Sequence, residues 1–247
     1  MTALLRWTIR IHKWIALIVG IQIVAWVAGG LVMSAIPIEQ VRGEHNIAEA
    51  APVDLDPANL ISLTEAADAA NPAGGVADAR LTGWQARPVW SITSRGGGTI
   101  LVDARDRTVL TPIDREQAIA IARADHAGDP EIEAVEYFEE ATWESRRPVP
   151  TWRVSFADGE GTRIYVAEGT GQVVARRNDV WRFYDFFWML HIMDYEERSD
   201  FNNPLLITFS VFSLVTVFAG IILLVIRIQR LIRMEIGRRE RERGLRA

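Results

Sequence analysis

The chain has no cysteine among its 247 residues. That absence removes disulfides, iron–sulfur clusters, thiolate zinc sites and dithiol redox chemistry from consideration. It is ordinary for a domain in a bacterial envelope and less usual in a secretory pathway that oxidises thiols. Histidine is scarce, with four in all. No HExxH motif occurs, and no Ser/His/Asp spacing supplies a nucleophile with its base. No glycine-rich phosphate loop follows a strand-like run, and Gly96-Gly97-Gly98 reads as a hairpin turn. Carboxylates abound, but Glu139-Glu140, Glu196-Glu197 and Asp158 lie in runs that read as solvated surface. An enzyme is not expected.

Acidic residues are missing before Glu39, and charge is missing altogether from two long runs. Residues 14–36 are uncharged and follow Arg6, Arg10 and Lys13. A signal-peptide core is usually about 7–15 residues and ends at a small-x-small site. This run is longer and ends in Met33-Ser34-Ala35-Ile36-Pro37, so it reads as an anchor. Residues 205–226 form the second run, and each meets the roughly 20 apolar residues a crossing needs.

Net charge is +3 over residues 1–36, −13 over residues 37–204 and +5 over residues 205–247. Basic flanks stay on the cytoplasmic side. The expected topology therefore has residues 1–13 and the basic tail 227–247 inside and the acidic middle outside, in a bacterial inner membrane. The lipid bilayer is the first expected partner, and the tail could bind anionic lipid. Nucleic acid is not an expected partner, because the large domain is acidic and lacks a basic patch with interleaved aromatics.

Within the first span Gln22, Ala25 and Gly29 share a face, and in the second Ser213, Thr216 and Gly220 repeat that spacing. Small residues with one polar group suggest helix packing, within the chain or in a homodimer.

Residues 37–57 read as an outer juxtamembrane linker. A repeat follows. Residues 58–112 carry a helix, with Ser62 and Glu65 in capping-box spacing, then the strand-like runs VADARLTGW, RPVWSITS and GTILVDARDRTVL. Residues 113–178 carry a helix with Asp114 as cap, then EIEAVEYFEE, PTWRVSFAD and GTRIYVAEGTGQVVARR. Pro88-Val89-Trp90 matches Pro150-Thr151-Trp152, and alternating runs such as WRVSF predict strands with one buried face. The expected fold class is α+β, with two units of helix plus three-stranded antiparallel meander carried between two transmembrane helices.

Residues 179–195 predict an aromatic helix. At 100° per residue Trp181, Tyr184, Trp188, His191 and Tyr195 fall within about 80°. Aromatic rings with polar tips on one face are what a membrane interface selects, so this helix is expected to lie on the outer surface. His45 comes nine residues after Ile36, which places it in the same thin layer. The two imidazoles are candidates for a shared ligand site. Each also reads as an ordinary surface ring, and His126 reads as a helix C-terminal feature. His12 lies at the other end of the first span, about 36 Å away at 1.5 Å per residue, and cannot share an iron with them.

The meander closing on Ile164-Tyr165-Val166-Ala167-Glu168-Gly169-Thr170-Gly171-Gln172-Val173-Val174, similar to the family's terminal strand pair with its Thr-Gly turn, and the flanking Val41-Arg42-Gly43-Glu44-His45 and Trp188-Met189-Leu190-His191-Ile192-Met193-Asp194-Tyr195 resemble bacterial PepSY domain proteins with associated transmembrane helices. With the two spans, the resemblance covers nearly the whole chain. It implies PepSY-like units of the kind found in metalloprotease propeptides, where they are thought to inhibit, and in envelope proteins. Larger relatives resemble ferric-siderophore reductases whose membrane histidines bind haem b. This chain departs from those in its two spans and four histidines.

Three readings follow: a non-catalytic envelope protein that binds a partner in protease regulation or iron and siderophore uptake; a haem-binding accessory to electron transfer, acting as a dimer or with a larger partner; or a structural membrane protein. For the second, His45 and His191, or His12 paired with its own copy, are the candidate ligands.

Overall fold

The computed structural model describes residues 3–49 and 51–244, with no side chains described for residues 3–12, 57, 223 and 240–244. The chain is α+β and divides into two compact units, Ile36–Asp185 and a helical unit made of Met1–Ala35 with Phe186–Ala247.

In the helical unit, α1 (Ala3–Ala35) packs against α6 (Pro204–Gly244). Among the described residues two stretches are long and apolar enough to cross a membrane, Lys13–Ala35 and Pro204–Arg239, whose most apolar 18-residue segments have mean hydropathy 2.3 and 2.7. The packed face of α1 follows the helical repeat through Val19, Gln22, Trp26 and Gly29. At Gly29 the helix α5 (Asp179–Ile192) comes close, since a Cβ there would lie 3.5 Å from the Phe187 carbonyl. Asn203 caps α6, its side-chain oxygen accepting the Leu206 N–H at 2.8 Å.

The other unit opens with a short helix, α2 (Ile38–Val41), and a 3₁₀ turn at Glu44–Asn46. Then α3 (Leu63–Ala70) precedes an antiparallel sheet in the order β1 (Val76–Trp84), β2 (Arg87–Ser94), β3 (Thr99–Asp103). After it α4 (Arg115–Asp125) precedes a second, four-stranded sheet: β4 (Ile132–Phe138), β5 (Thr151–Phe156), β6 (Arg163–Ala167) and β7 (Val173–Arg177). The second meander thus has four strands where three were expected. The run 161–177 folds back at Gly171, whose φ of 59° makes the turn, so one apolar stretch supplies two strands.

Both helix starts are capping boxes, Ser62 with Glu65 and Asp114 with Gln117. The same bonds recur around them. Trp90 Nε1 donates to the Ile61 carbonyl at 3.0 Å, and Trp152 Nε1 to the Ile113 carbonyl at 3.2 Å. Each acceptor immediately precedes its cap. The Ile61 N–H donates to Ala104 O at 2.8 Å and the Ile113 N–H to Glu168 O at 2.9 Å; Ala104 N and Glu168 N in turn donate to Pro88 O and Pro150 O. In each half the central strand's indole fixes the start of the helix that covers its sheet.

The apolar faces close on these helices. Ala66 packs with Ile92 and Val102, while Ala118, Ile121 and Ala122 pack with Ile113, Val154, Phe156, Ile164 and Val166. Each large side chain so buried contributes about 1.5–3 kcal/mol. Trp84, at the end of β1, touches both the α4 core and the cluster of Val89, Leu101 and Leu110. Its Nε1 donates to Gly171 O at 3.0 Å, which joins the first sheet to the turn of the second.

Candidate functional site

The β5–β6 hairpin gathers the two segments by which the chain enters and leaves the α+β unit. Its tip, Asp158-Gly159-Glu160-Gly161, turns through two glycines with φ of 76° and 63°. Glu160 Oε2 accepts from His45 Nε2 and from Asn46 Nδ2, both at 2.9 Å, so the carboxylate holds the inbound segment. Its backbone carbonyl accepts the Asp179 N–H at 2.9 Å, and the Gly161 carbonyl accepts Arg182 Nη2 at 2.8 Å, so the same tip holds the start of α5. Asn178 closes the junction. Its amide donates to Gln40 O at 2.9 Å, its oxygen caps α5 by accepting the Trp181 N–H at 2.7 Å, and the residue is buried.

His126 and Asp158 form a buried pair behind this tip, Nε2 to Oδ2 at 3.4 Å, with side chains 6% and 8% exposed. The Gly128 N–H donates to His126 Nδ1 at 3.0 Å, which leaves the ring proton on Nε2, facing the carboxylate. Burial opposes the charge on Asp158, but hydrogen bonds from Thr162, Glu160 and His126 outweigh it and hold the carboxyl below its ordinary value of 3.8. The inbound segment continues past it, with Ala48 N donating to Asp125 O and Ala127 N to Asn46 O, each at 2.8 Å.

A second polar cluster fixes α5 to the sheet. Glu144, 1% exposed, accepts from Tyr165 Oη and, at 2.9 and 3.4 Å, from Arg163 and Arg182. Arg177 donates to the Glu144 carbonyl at 2.8 Å and lies over the Trp181 ring at 4.3 Å. Burial, with repulsion from Arg146, pulls Arg177 down to about 10. Arg146 in turn pairs with buried Asp185 on α5. Burial and the neighbouring Glu144 both push the Tyr165 hydroxyl upward, which keeps it a donor.

An open cleft of about 630 Å³ lies elsewhere on this unit, between the linker at Glu49, Val53 and Leu55 and the hairpin tip at Trp84, Gln85 and Ala86. Gln85 and Ala86 both have positive φ, 47° and 57°, a two-residue turn that glycine or asparagine usually makes.

Several residues singled out in the sequence have other surroundings than expected. Trp181, expected at a membrane surface, is 8% exposed inside the α+β unit, because arginines and Trp143 enclose its ring. Asp158, expected on a solvated surface, is a buried partner of His126. Tyr184 is half-buried, Trp188 Nε1 donates to Arg198 O at 3.1 Å, and Tyr195 is exposed. In the helical unit Gln22 and Ala25 are half-buried, Gly29 and Ser213 buried, and Thr216 bonds back to Phe212 O at 2.8 Å. Gly220 is exposed with open space around it. The His12 side chain lies outside the described residues.

His45 and His191 belong to different units. The Nε2 that His45 would offer an iron is engaged by Glu160. The His191 Nδ1 is buried without a partner among the described residues. Among the described residues no three histidines or carboxylates gather to hold a metal ion.

An α+β unit held at its two ends by one hairpin, joined to two helices that can span a bilayer, defines a membrane-anchored domain protein. The chain belongs to the family described as PepSY-associated TM region, whose pattern matches residues 9–246. It is therefore a membrane-associated PepSY-related protein, and its two apolar helices fit two spans. No curated protein and no solved structure matches the chain.

Proposed function

We propose that this is a non-catalytic envelope protein that carries two PepSY-like units outside the cytoplasmic membrane and binds a partner protein through them, in protease regulation or as an accessory to iron or siderophore uptake. The observation that carries the reading is the junction: Glu160 and Asn178 tie the inbound and outbound segments to one place, so the unit is presented on two legs with the Trp84 cleft free for a partner. The recurring indole-to-cap bonds support duplication of one unit. The acidic middle and basic ends support both termini lying in the cytoplasm.

Commitment of the acid–base groups to structure supports a non-catalytic role. His45 is paired with Glu160, His126 with Asp158, and Glu144 with Tyr165 and two arginines. Photo-crosslinkers placed at Val53 and Gln85 in intact membranes test the reading. Adducts with a second envelope protein are expected, whereas adducts only between copies of this chain would replace partner binding with self-assembly. An absorbance spectrum of protein made with ample haem is expected to lack a Soret band. A band lost on His191→Ala would put the haem-accessory reading in its place.

A further inference from the structure

We propose that Arg227, Arg230 and Arg233, at the inner end of α6, form a headgroup site for anionic phospholipid. The proposal rests on the reading that α6 crosses the membrane. From Pro204 to Arg233 the helix rises about 45 Å at 1.5 Å per residue, the thickness of a bilayer with both headgroup layers. The uncharged run ends at Ile226, so Arg227 to Arg233 fall at headgroup depth.

The described residues of α6 from Ile221 to Met234 are all exposed, and two chemically different sectors can be drawn among them. At 100° per residue Ile221, Leu224, Val225, Ile228, Leu231 and Ile232 share a sector of about 120°. All six are exposed, between 45% and 59%. Arg227, Arg230 and Arg233 occupy the opposite sector, also about 120° wide, with Ile226 and Met234 between them. The apolar stripe continues directly from the span and suits acyl chains, while the basic face suits phosphate.

Pairing separates these arginines from their neighbours. Arg238 and Arg239 both bond to Glu235, at 2.9 and 3.1 Å, which neutralises the first acidic residue past the stripe. Arg227, Arg230 and Arg233 have no carboxylate partner among the described residues. A guanidinium meets phosphate oxygens bidentately. In a zwitterionic lipid the ammonium cancels the longer-range attraction, so the site selects lipids of net negative charge, by about fivefold for one arginine near the surface.

Full-length protein reconstituted in phosphatidylcholine vesicles, with spin-labelled phosphatidylglycerol or phosphatidylcholine as probe, reads this as the relative association of the two lipids. The native chain is expected to prefer phosphatidylglycerol about fivefold or more, R230Q to give an intermediate ratio, and R227Q/R230Q/R233Q a ratio near one. R238Q/R239Q should leave the preference unchanged. A native ratio near one, a preference that survives the triple substitution, or an equal loss in R238Q/R239Q overturns the proposal. A nitroxide on Val215→Cys, the sole cysteine of that variant, tests the spanning reading separately. Accessibility to oxygen with protection from an aqueous nickel complex is expected, and exposure to the nickel complex would refute the span.

Discussion

Substituting Glu144 by glutamine keeps its shape and removes its charge. Glu144 is 1% exposed and accepts from Tyr165, Arg163 and Arg182. Removing one partner of a buried ion pair costs about 3–5 kcal/mol, because the other charge is left uncompensated. Two features place this case at the lower end. Tyr165 can still donate to the amide oxygen, and the Arg163 side chain is 34% exposed, so water screens part of its charge. The expected loss is about 3 kcal/mol, read by denaturation of the detergent-solubilised protein with tryptophan fluorescence, since Trp143 and Trp181 stack beside the cluster. Tyr165→Phe alone should cost about 1.5–3 kcal/mol, as for a hydrogen bond to a charged group. The double variant should cost less than the sum by about 1 kcal/mol or more. A loss under about 1 kcal/mol for Glu144→Gln, typical of a surface pair, or strict additivity with Tyr165→Phe, would refute the reasoning.

Gly171→Ala should destabilise by about 1–3 kcal/mol, since its φ is 59° and a Cβ would lie 2.6 Å from the Trp84 ring; unchanged denaturation would remove this contact as the link between the sheets. Asp158 has a folded pKa below 3.8, so the unfolded chain takes up a proton first on acidification. The stability it contributes is complete above about pH 5 and is lost as pH falls through the folded value. Asp158→Asn should therefore flatten the acid limb of a stability–pH curve, and an unchanged limb would count against the His126–Asp158 pair. Gln22→Leu and Ser213→Ala should leave thermal stability in detergent unchanged or higher, because Gln22 Nε2 and Ser213 Oγ are buried without partners among the described residues. A loss of about 1 kcal/mol or more would instead reveal a hydrogen bond between helices.

Much of the fold was legible because it depends on neighbours in sequence. Ser62 and Asp114 announced their helices through side chains that bond three residues away. Alternation in WRVSF announced β5, and unbroken apolar runs announced α1 and α6. Where the signal was ambiguous, count failed before kind did: the turn at Gly171 divided one predicted run into β6 and β7. The junction was not legible. Asn178 meets Gln40 across 138 positions and His45 meets Glu160 across 115. Periodicity reports which face of an element is apolar and says nothing of which distant carboxylate will neutralise an arginine. For the same reason Trp181 read as an interface aromatic, although Arg177 and Arg146 from other elements cover it. The two halves offered one further signal, the match of Trp90 with Trp152, and both indoles bond just ahead of a helix cap.

The central claim, an outer domain carried on two membrane legs, is open to one direct measurement. The chain has no cysteine, so a single engineered one reports without background. Gln85→Cys, beside the cleft, and Gln229→Cys, beyond the second apolar run, would each be treated with a membrane-impermeant maleimide in intact spheroplasts and again after permeabilisation. Gln85→Cys is expected to label in both conditions and Gln229→Cys only after permeabilisation. Labelling of Gln229→Cys in intact spheroplasts, or protection of Gln85→Cys there, would contradict the claim.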